Sequence, residues 1–241
     1  MTDGDALLAA ILAEPDEDTP RLMYADWLDE EGEYERAELI RAQIELARTP
    51  DRDAVPWNPR VAGLRATVRR ILERRSAEWL DRLRGRDGPL GSEGVHAAYR
   101  RGFVEVVWMS AAWYVGRAEV LFRSLPLREL RVTFATQESF ANLLACPHFP
   151  RLDTLDVSGF TLGDGLFVQL ARCRAAAELR GLRARACGIT DASALRLADF
   201  EYEWKPREID VSLNAIGPAG LDALRGRYGT GVVRFDRATG A

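Results

Sequence analysis

Lysine is almost missing from this chain: Lys205 is the only one among 33 basic residues in a sequence of 241. Arginine codons are GC-rich, so a bias this uniform reflects genome composition and does not by itself point to nucleic acid. Histidine is nearly as scarce. His96 and His148 fall in separate predicted loops, neither beside a serine or cysteine motif, which leaves no evident base for nucleophilic catalysis. The three cysteines, Cys146, Cys173 and Cys187, are odd in number and form no CxxC pair. That speaks against a disulfide framework and fits a reduced, cytoplasmic setting. No stretch approaches the roughly 18 apolar residues of a membrane span. The N-terminal MTDGDALLAAILAEPDED has no basic region ahead of its short apolar run, so no signal peptide is expected. GxSxG, HExxH, P-loop and GxGxxG patterns are all absent. The acidic clusters Asp16-Glu17-Asp18 and Asp29-Glu30-Glu31 lack the spacing and central glycine of a calcium loop, and read as solvated helix ends. The sequence therefore assigns no catalytic, cofactor-binding or metal-binding residue.

What the chain does have is apolar content for a sizeable core, 47%, and a net charge of −4 that hides an asymmetry. The first 48 residues hold 14 acidic and 4 basic side chains, whereas residues 49–101 hold 7 acidic and 12 basic. Neighbouring segments of opposite sign are expected to neutralise each other within one fold. Residues 1–50 read as three short helices. Thr2 and Asp5 make a capping-box-like start ahead of the stripe Leu7, Leu8, Ile11 and Leu12, which stops at Pro15. Thr19 is the expected N-cap of the second helix, with Pro20 at its first helical position. Ala37, Ile40, Ile44 and Ala47 mark the third. Residues 51–101 form a proline-rich connector (Pro50, Pro56, Pro59) and an amphipathic helix from about Arg60 to Arg84, followed by a glycine-rich loop, Gly85 to Gly94.

Two segments inside the first of these regions are distinctive: PRLMYADWL, Pro20 to Leu28, and RAELIRAQ, Arg36 to Gln43. Together the forty residues from Leu7 to Leu46 resemble the small bacterial repeat-companion domain, found N-terminal to repeat arrays. Met23 stands where valine is common in that core, a swap of similar volume. The resemblance implies an architecture and no activity.

From Leu127 the chain repeats itself every 25–27 residues: LRELRVTFAT at Leu127, LDTLDVSGFTLGDG at Leu152, LRGLRARACGITDA at Leu179 and PREIDVSLNAIGPAG at Pro206. The template LxxLxLxxNxIGxxG, followed by an apolar helix, is nearly complete in the last copy through Ile209, Val211, Asn214, Ile216, Gly217 and Gly220. Cys187 takes the Asn position in the third copy, and Phe160 takes it in the second. GFVEVVWM (Gly102 to Met109) with a helix from Ala111 to Arg123 reads as a first repeat, and GVVRFD (Gly231 to Asp236) as a closing strand. This pattern resembles leucine-rich repeats of the ribonuclease-inhibitor type. The expected fold class is α/β: a helical N-terminal cap, then over residues 102–241 a short solenoid with parallel strands on its concave face and helices on its convex face.

In that register one residue per strand points to the concave face, giving the column Val107, Arg131, Asp156, Arg183, Asp210, Arg234. Its alternating signs predict a structural charge ladder from Arg131 to Arg234, each pair worth about 0.2–1 kcal/mol. The next column, Met109, Thr133, Ser158, Arg185, Ser212, Asp236, is small and polar. Thr133, Ser158, Arg185 and Ser212 are its candidate partner contacts. Tyr202 and Trp204, in the insertion EYEWKP, join them, because exposed aromatics anchor protein interfaces. Phe134, Phe160, Trp113 and Tyr114 are further aromatic candidates. The favoured function is a non-catalytic protein-interaction module with an unidentified protein partner, no cofactor and no membrane. One alternative is an unrecognised enzyme activity around Asp26, Arg36 and Arg41, which predicts a pocket with perturbed pKa values there. Asp26 is expected buried beside Trp27 and paired with Arg36 or Arg41. The least favoured is nucleic-acid binding through the arginine-rich helix (Arg65, Arg69, Arg70, Arg74, Arg75, Arg82, Arg84).

Overall fold

The computed structural model describes residues 2–50, 53, 55, 57–84, 88–91, 95–160 and 164–236. Pro56, most of the Gly85–Gly94 loop and the second-copy residues Thr161 to Gly163 lie outside that set, as does the Leu166 side chain. The chain is α/β, with a helical N-terminal part and a seven-stranded, mostly parallel sheet. It divides into two compact units, Met1–Val106 with Val120–Pro126, and Val107–Glu119 with Leu127–Ala241.

The first unit holds α1 (Asp3–Ala13), α2 (Thr19–Glu30), α3 (Tyr34–Arg48), α4 (Pro59–Leu83) and β1 (His96–Arg100), and β2 (Phe103–Met109) starts in it. The expected capping box closes the start of α1: the Thr2 N–H donates to Asp5 Oδ2 at 2.9 Å and the Asp5 N–H to Thr2 Oγ1 at 3.2 Å. The second helix starts one residue earlier than its cap signal suggests. Thr19 is already helical, and Asp18 at the cap position turns its carboxylate to Arg48, 2.7 Å away, instead of to the helix. The helical stripes meet in one core of Ile11, Ala25, Leu28, Ala37, Ile40, Ile44 and Phe103. Strand β1 corrects the placement of His96 in a loop. HAAYR has weak strand character, but the Arg101–Gly102 turn, with φ of 46° and 83°, joins it to β2 as a two-residue hairpin. Glycine is required at 102 for a second reason: a Cβ there would stand 2.1 Å from Ile40 Cγ1.

The motifs that carry the repeat-companion resemblance grip this hairpin. Gln43 donates from Nε2 to the Tyr99 carbonyl at 3.0 Å and accepts the Gly102 N–H at 2.8 Å. Arg21 is completely buried. It donates to the Pro15 carbonyl at 2.8 Å and the Arg101 carbonyl at 3.3 Å, and pairs with buried Glu105 at 2.8 Å. Arg101 completes the cluster, 3.1 Å from the same Glu105 oxygen. Burial pushes the Arg21 pKa down to about 10, against the pull of Glu105, so it stays charged near neutral pH.

In the second unit β3 (Glu129–Val132), β4 (Thr154–Asp156), β5 (Gly181–Arg183), β6 (Glu208–Asp210) and β7 (Val233–Arg234) run parallel. The intervening helices are α5 (Ala111–Ser124), which begins in this unit, α6 (Gln137–Ala145), α7 (Asp164–Ala171), α8 (Asp191–Ala198) and α9 (Pro218–Tyr228). Leu130, Leu155, Leu182 and Ile209 stand side by side and are fully buried, because a strand residue flanked by polar neighbours turns one face to the helices. The turn after β6 explains the template Asn. Asn214 Oδ1 accepts the N–H groups of Cys187 (2.7 Å) and Ile189 (3.1 Å), and its Nδ2 donates to the carbonyls of Ala184 (2.7 Å) and Val211 (2.9 Å). Backbone groups of two consecutive turns are thereby satisfied by one side chain. Cys187, at the equivalent place one copy earlier, directs its thiol to the Val157 carbonyl at 3.2 Å.

Candidate functional site

Two places converge enough chemistry to be weighed as sites, one in each unit. The first is the sheet face of the second unit. Backbone pairing puts Arg131, Asp156, Arg183, Asp210 and Arg234 in one column, with Glu129, Thr154, Gly181 and Glu208 in the column beside it. The side chains do not pair along the ladder as the signs suggest. Arg183 bonds to Glu129 and Glu208, both at 3.0 Å, reaching across short Thr154 and past Gly181, which has no side chain. Arg131 meets Glu129 at 2.6 Å and only distantly Asp156 at 3.7 Å, and Arg234 meets Glu208 at 3.0 Å. Burial alone would lower the Arg183 pKa, and the two glutamates outweigh it and raise it. Asp210 pairs with Arg185 of the adjoining column at 2.9 Å.

Register at the first strand also differs. The Thr133 N–H donates to the Met109 carbonyl, and Val107 and Met109 are buried with the core. Trp108 instead shares the face with Arg131, whose guanidinium lies 4.6 Å from the ring centroid. A shift of one residue moves every side chain of a strand to the opposite face.

Asp210 gives this network a pH signature. Burial would raise its pKa, but hydrogen bonds from Ser212 and the Arg185 guanidinium prevail and hold it below the ordinary 3.8. A depressed carboxylate stabilises the fold above its unfolded pKa, and that contribution is lost as pH falls through the folded value. Unfolding of the second unit is therefore expected to become easier below about pH 4, and Asp210→Asn should flatten that part of the profile. Denaturant midpoints for both proteins between pH 6 and pH 2 provide the check.

Of the candidate contacts, Thr133 is exposed, while Ser158, Arg185 and Tyr202 are half-buried. Ser212 and Trp204 are corrected: both are buried. Ser212 accepts the Asp236 N–H at 3.0 Å, and its own N–H donates to Asp210 at 3.0 Å. Trp204 folds inward because its indole N–H finds the Leu179 carbonyl at 2.7 Å and its ring lies between Phe200 and Tyr228. Tyr114 is likewise interior, and Phe160 is half-buried. The aromatic side chains left exposed here are Phe134, at 61%, and Trp113, at 40%. Their segments adjoin, since the Ala111 N–H donates to the Phe134 carbonyl at 2.9 Å.

The second place is a cleft in the first unit of about 350 Å³, lined by Tyr24, Trp27, Glu33, Arg36, Trp79, Arg82 and Tyr99 among others. Arg36 is its centre. The guanidinium carbon stands 4.7 Å from the Trp79 ring centroid, 5.0 Å from Tyr99 and 5.6 Å from Phe103. Desolvation lowers the pKa of Arg36 and raises those of Tyr99 and Tyr24. The sequence pointed to Arg36 for a different reason, as a mate for Asp26. Arg41 takes that role, 2.6 Å from Asp26 and 2.7 Å from Asp29, and the triad lies on the surface, which corrects the expectation of a buried Asp26. Spacing could not reveal the aromatic cage, because Tyr99 and Phe103 come from a hairpin that follows the glycine-rich loop.

Five arginines of α4 are committed to carboxylates. Arg70 pairs with Glu38, Arg74 and Arg75 with Glu35, Arg82 with Glu78, and Arg60 with Glu45. The charge asymmetry read in the sequence thus meets across α3 and α4, which removes much of the cationic stripe that nucleic acid would need. Among the described residues, no group of three His, Cys, Asp or Glu side chains stands where it could hold a metal ion, and no helix is long and apolar enough to cross a membrane. No family model and no curated protein matches this chain.

Proposed function

We propose that this chain is a non-catalytic protein-interaction module of the cytoplasm. In this reading its second unit is a short leucine-rich-repeat solenoid of the ribonuclease-inhibitor type, with strands on the concave face and helices on the convex one, behind a repeat-companion cap. The observation that carries the proposal is exposed Phe134 beside exposed Thr133, after β3, with exposed Trp113 in the adjoining first turn of α5. Large aromatic side chains are costly to leave in water and are the residues most enriched at interface hot spots. The charges of the neighbouring sheet face are largely satisfied by one another, which favours a contact through these rings over a charged ligand.

The test is affinity capture from the native cytoplasm with the wild-type chain and with Phe134→Ser/Trp113→Ser as baits. Both baits should give the same circular dichroism, because neither ring belongs to the buried core. A partner that the wild-type enriches should fall by at least about tenfold with the double variant, a loss of about 1.4 kcal/mol or more. Equal capture by both baits would move the contact elsewhere, and capture of nothing above control would sink the interaction reading itself.

A further inference from the structure

A guanidinium half-buried among rings needs an anion or carbonyl acceptors, and among the described residues Arg36 meets neither. Among the described residues no carboxylate comes within ion-pair distance of it and no backbone carbonyl accepts its N–H groups; the nearby Glu33 is placed 4.0 Å from Arg75 instead. Its neighbours are the π faces of Trp79, Tyr99 and Phe103, which attract a cation without taking its in-plane N–H groups, and the Tyr99 hydroxyl is the polar group that meets it. The Tyr99 hydroxyl in the same wall is buried and makes no hydrogen bond of ordinary geometry. A cation without a carboxylate among the described residues, beside an open cleft of small-molecule size, is the usual mark of a binding site.

The shape of that demand is specific. One guanidinium fork matches one planar carboxylate, which it can hold through two parallel N–H bonds. The other cation of the cleft, Arg82, is held by Glu78 at 2.6 Å. Glu33 on the wall disfavours a second negative charge, and so disfavours a phosphate dianion. Tyr24, Trp27 and Trp79 line the remainder and would cover a flat apolar body. We infer that the first unit binds a small monocarboxylate with an aromatic or apolar body, the carboxylate on Arg36 and Tyr99 and the body against Trp27 and Trp79. The inference is independent of the aromatic pair on the second unit, and each can fail without the other.

The experiment is isothermal titration of the full chain with 3-phenylpropionate, with 3-phenylpropionamide as the neutral isostere and inorganic phosphate as competitor. The carboxylate should bind saturably with a Kd at or below the millimolar range. The amide should bind at least about tenfold more weakly, and phosphate should not displace the carboxylate. Arg36→Met should lose at least about tenfold in affinity, and Tyr99→Phe, which keeps the ring but not the hydroxyl, a few-fold. Should Arg36→Met fail to fold, Arg36→Lys and Trp27→Leu take its place, each expected to bind more weakly than wild type at unchanged circular dichroism. No saturable binding by the wild-type chain, equal affinity for acid and amide, competition by phosphate, or affinity indifferent to these substitutions would each overturn the inference. Arg36 would then be a structural strut between α3 and the β1–β2 hairpin.

Discussion

Arg21→Ala is expected to destabilise the first unit by about 3–5 kcal/mol, the range found when one member of a buried ion pair is removed. The reason lies in what the substitution leaves behind. Glu105 remains buried with its Arg21 partner gone, the Pro15 carbonyl loses its Arg21 donor, and Phe103 loses the guanidinium 5.1 Å from its ring centroid. Arg21→Lys should recover only part of the loss. An ammonium cannot reach two carbonyls and a carboxylate with the geometry of the guanidinium fork, and its ordinary pKa is about two units lower to begin with. Urea titrations of the three proteins, followed by near-ultraviolet circular dichroism, measure the effect. A loss under about 1 kcal/mol for the alanine variant would mean that Arg21 is a bystander in this cluster.

Trp204→Ala carries the second large expectation, about 3–5 kcal/mol from the second unit. The indole is 4% exposed, its N–H satisfies the Leu179 carbonyl, and its ring centroid lies 5.2 Å from Phe200 and 5.1 Å from Tyr228. Trp204→Phe separates the two contributions. It keeps most of the ring contact and removes the hydrogen bond, so it should cost about 1–3 kcal/mol, the range for a buried group left unsatisfied. A tryptophan held at the surface for a partner would give the opposite result: stability unchanged on substitution and binding lost. Thermal and denaturant unfolding distinguish the two outcomes directly.

Trp204 also shows why part of the site was illegible in the sequence. EYEWKP reads as a polar insertion, and its glutamates and Lys205 are indeed exposed, with Lys205 and Glu203 paired at 2.8 Å on the surface. Nothing in that string says that the indole turns inward, since its acceptor, the Leu179 carbonyl, is supplied by the preceding repeat. Phe134 is the converse case. It follows β3 in a segment that looks like the other strand ends, yet it stays in water.

Periodicity along the chain was enough to determine the helices of both units, the strands β3 to β7 and their mutual register, because identical spacing of apolar residues buries identical positions in each copy. Charge counts were enough to foresee that the acidic first 48 residues and the basic segment after them would neutralise each other. Three things were decided only by the tertiary structure. Trp108 and not Val107 faces Arg131, because the bond from the Thr133 N–H to the Met109 carbonyl sets Met109 beside Val132, one residue off the alignment by sequence. Arg183 passes over its nearest in-register acids to reach Glu129 and Glu208, because long side chains choose partners by reach and by the room that Gly181 leaves. Arg36 ends among three rings, with no carboxylate of the described residues paired to it, because a hairpin some sixty residues later in the sequence closes over it. Spacing fixes where a Cβ stands, and the partners that a charged side chain then finds depend on which other segments fold against it.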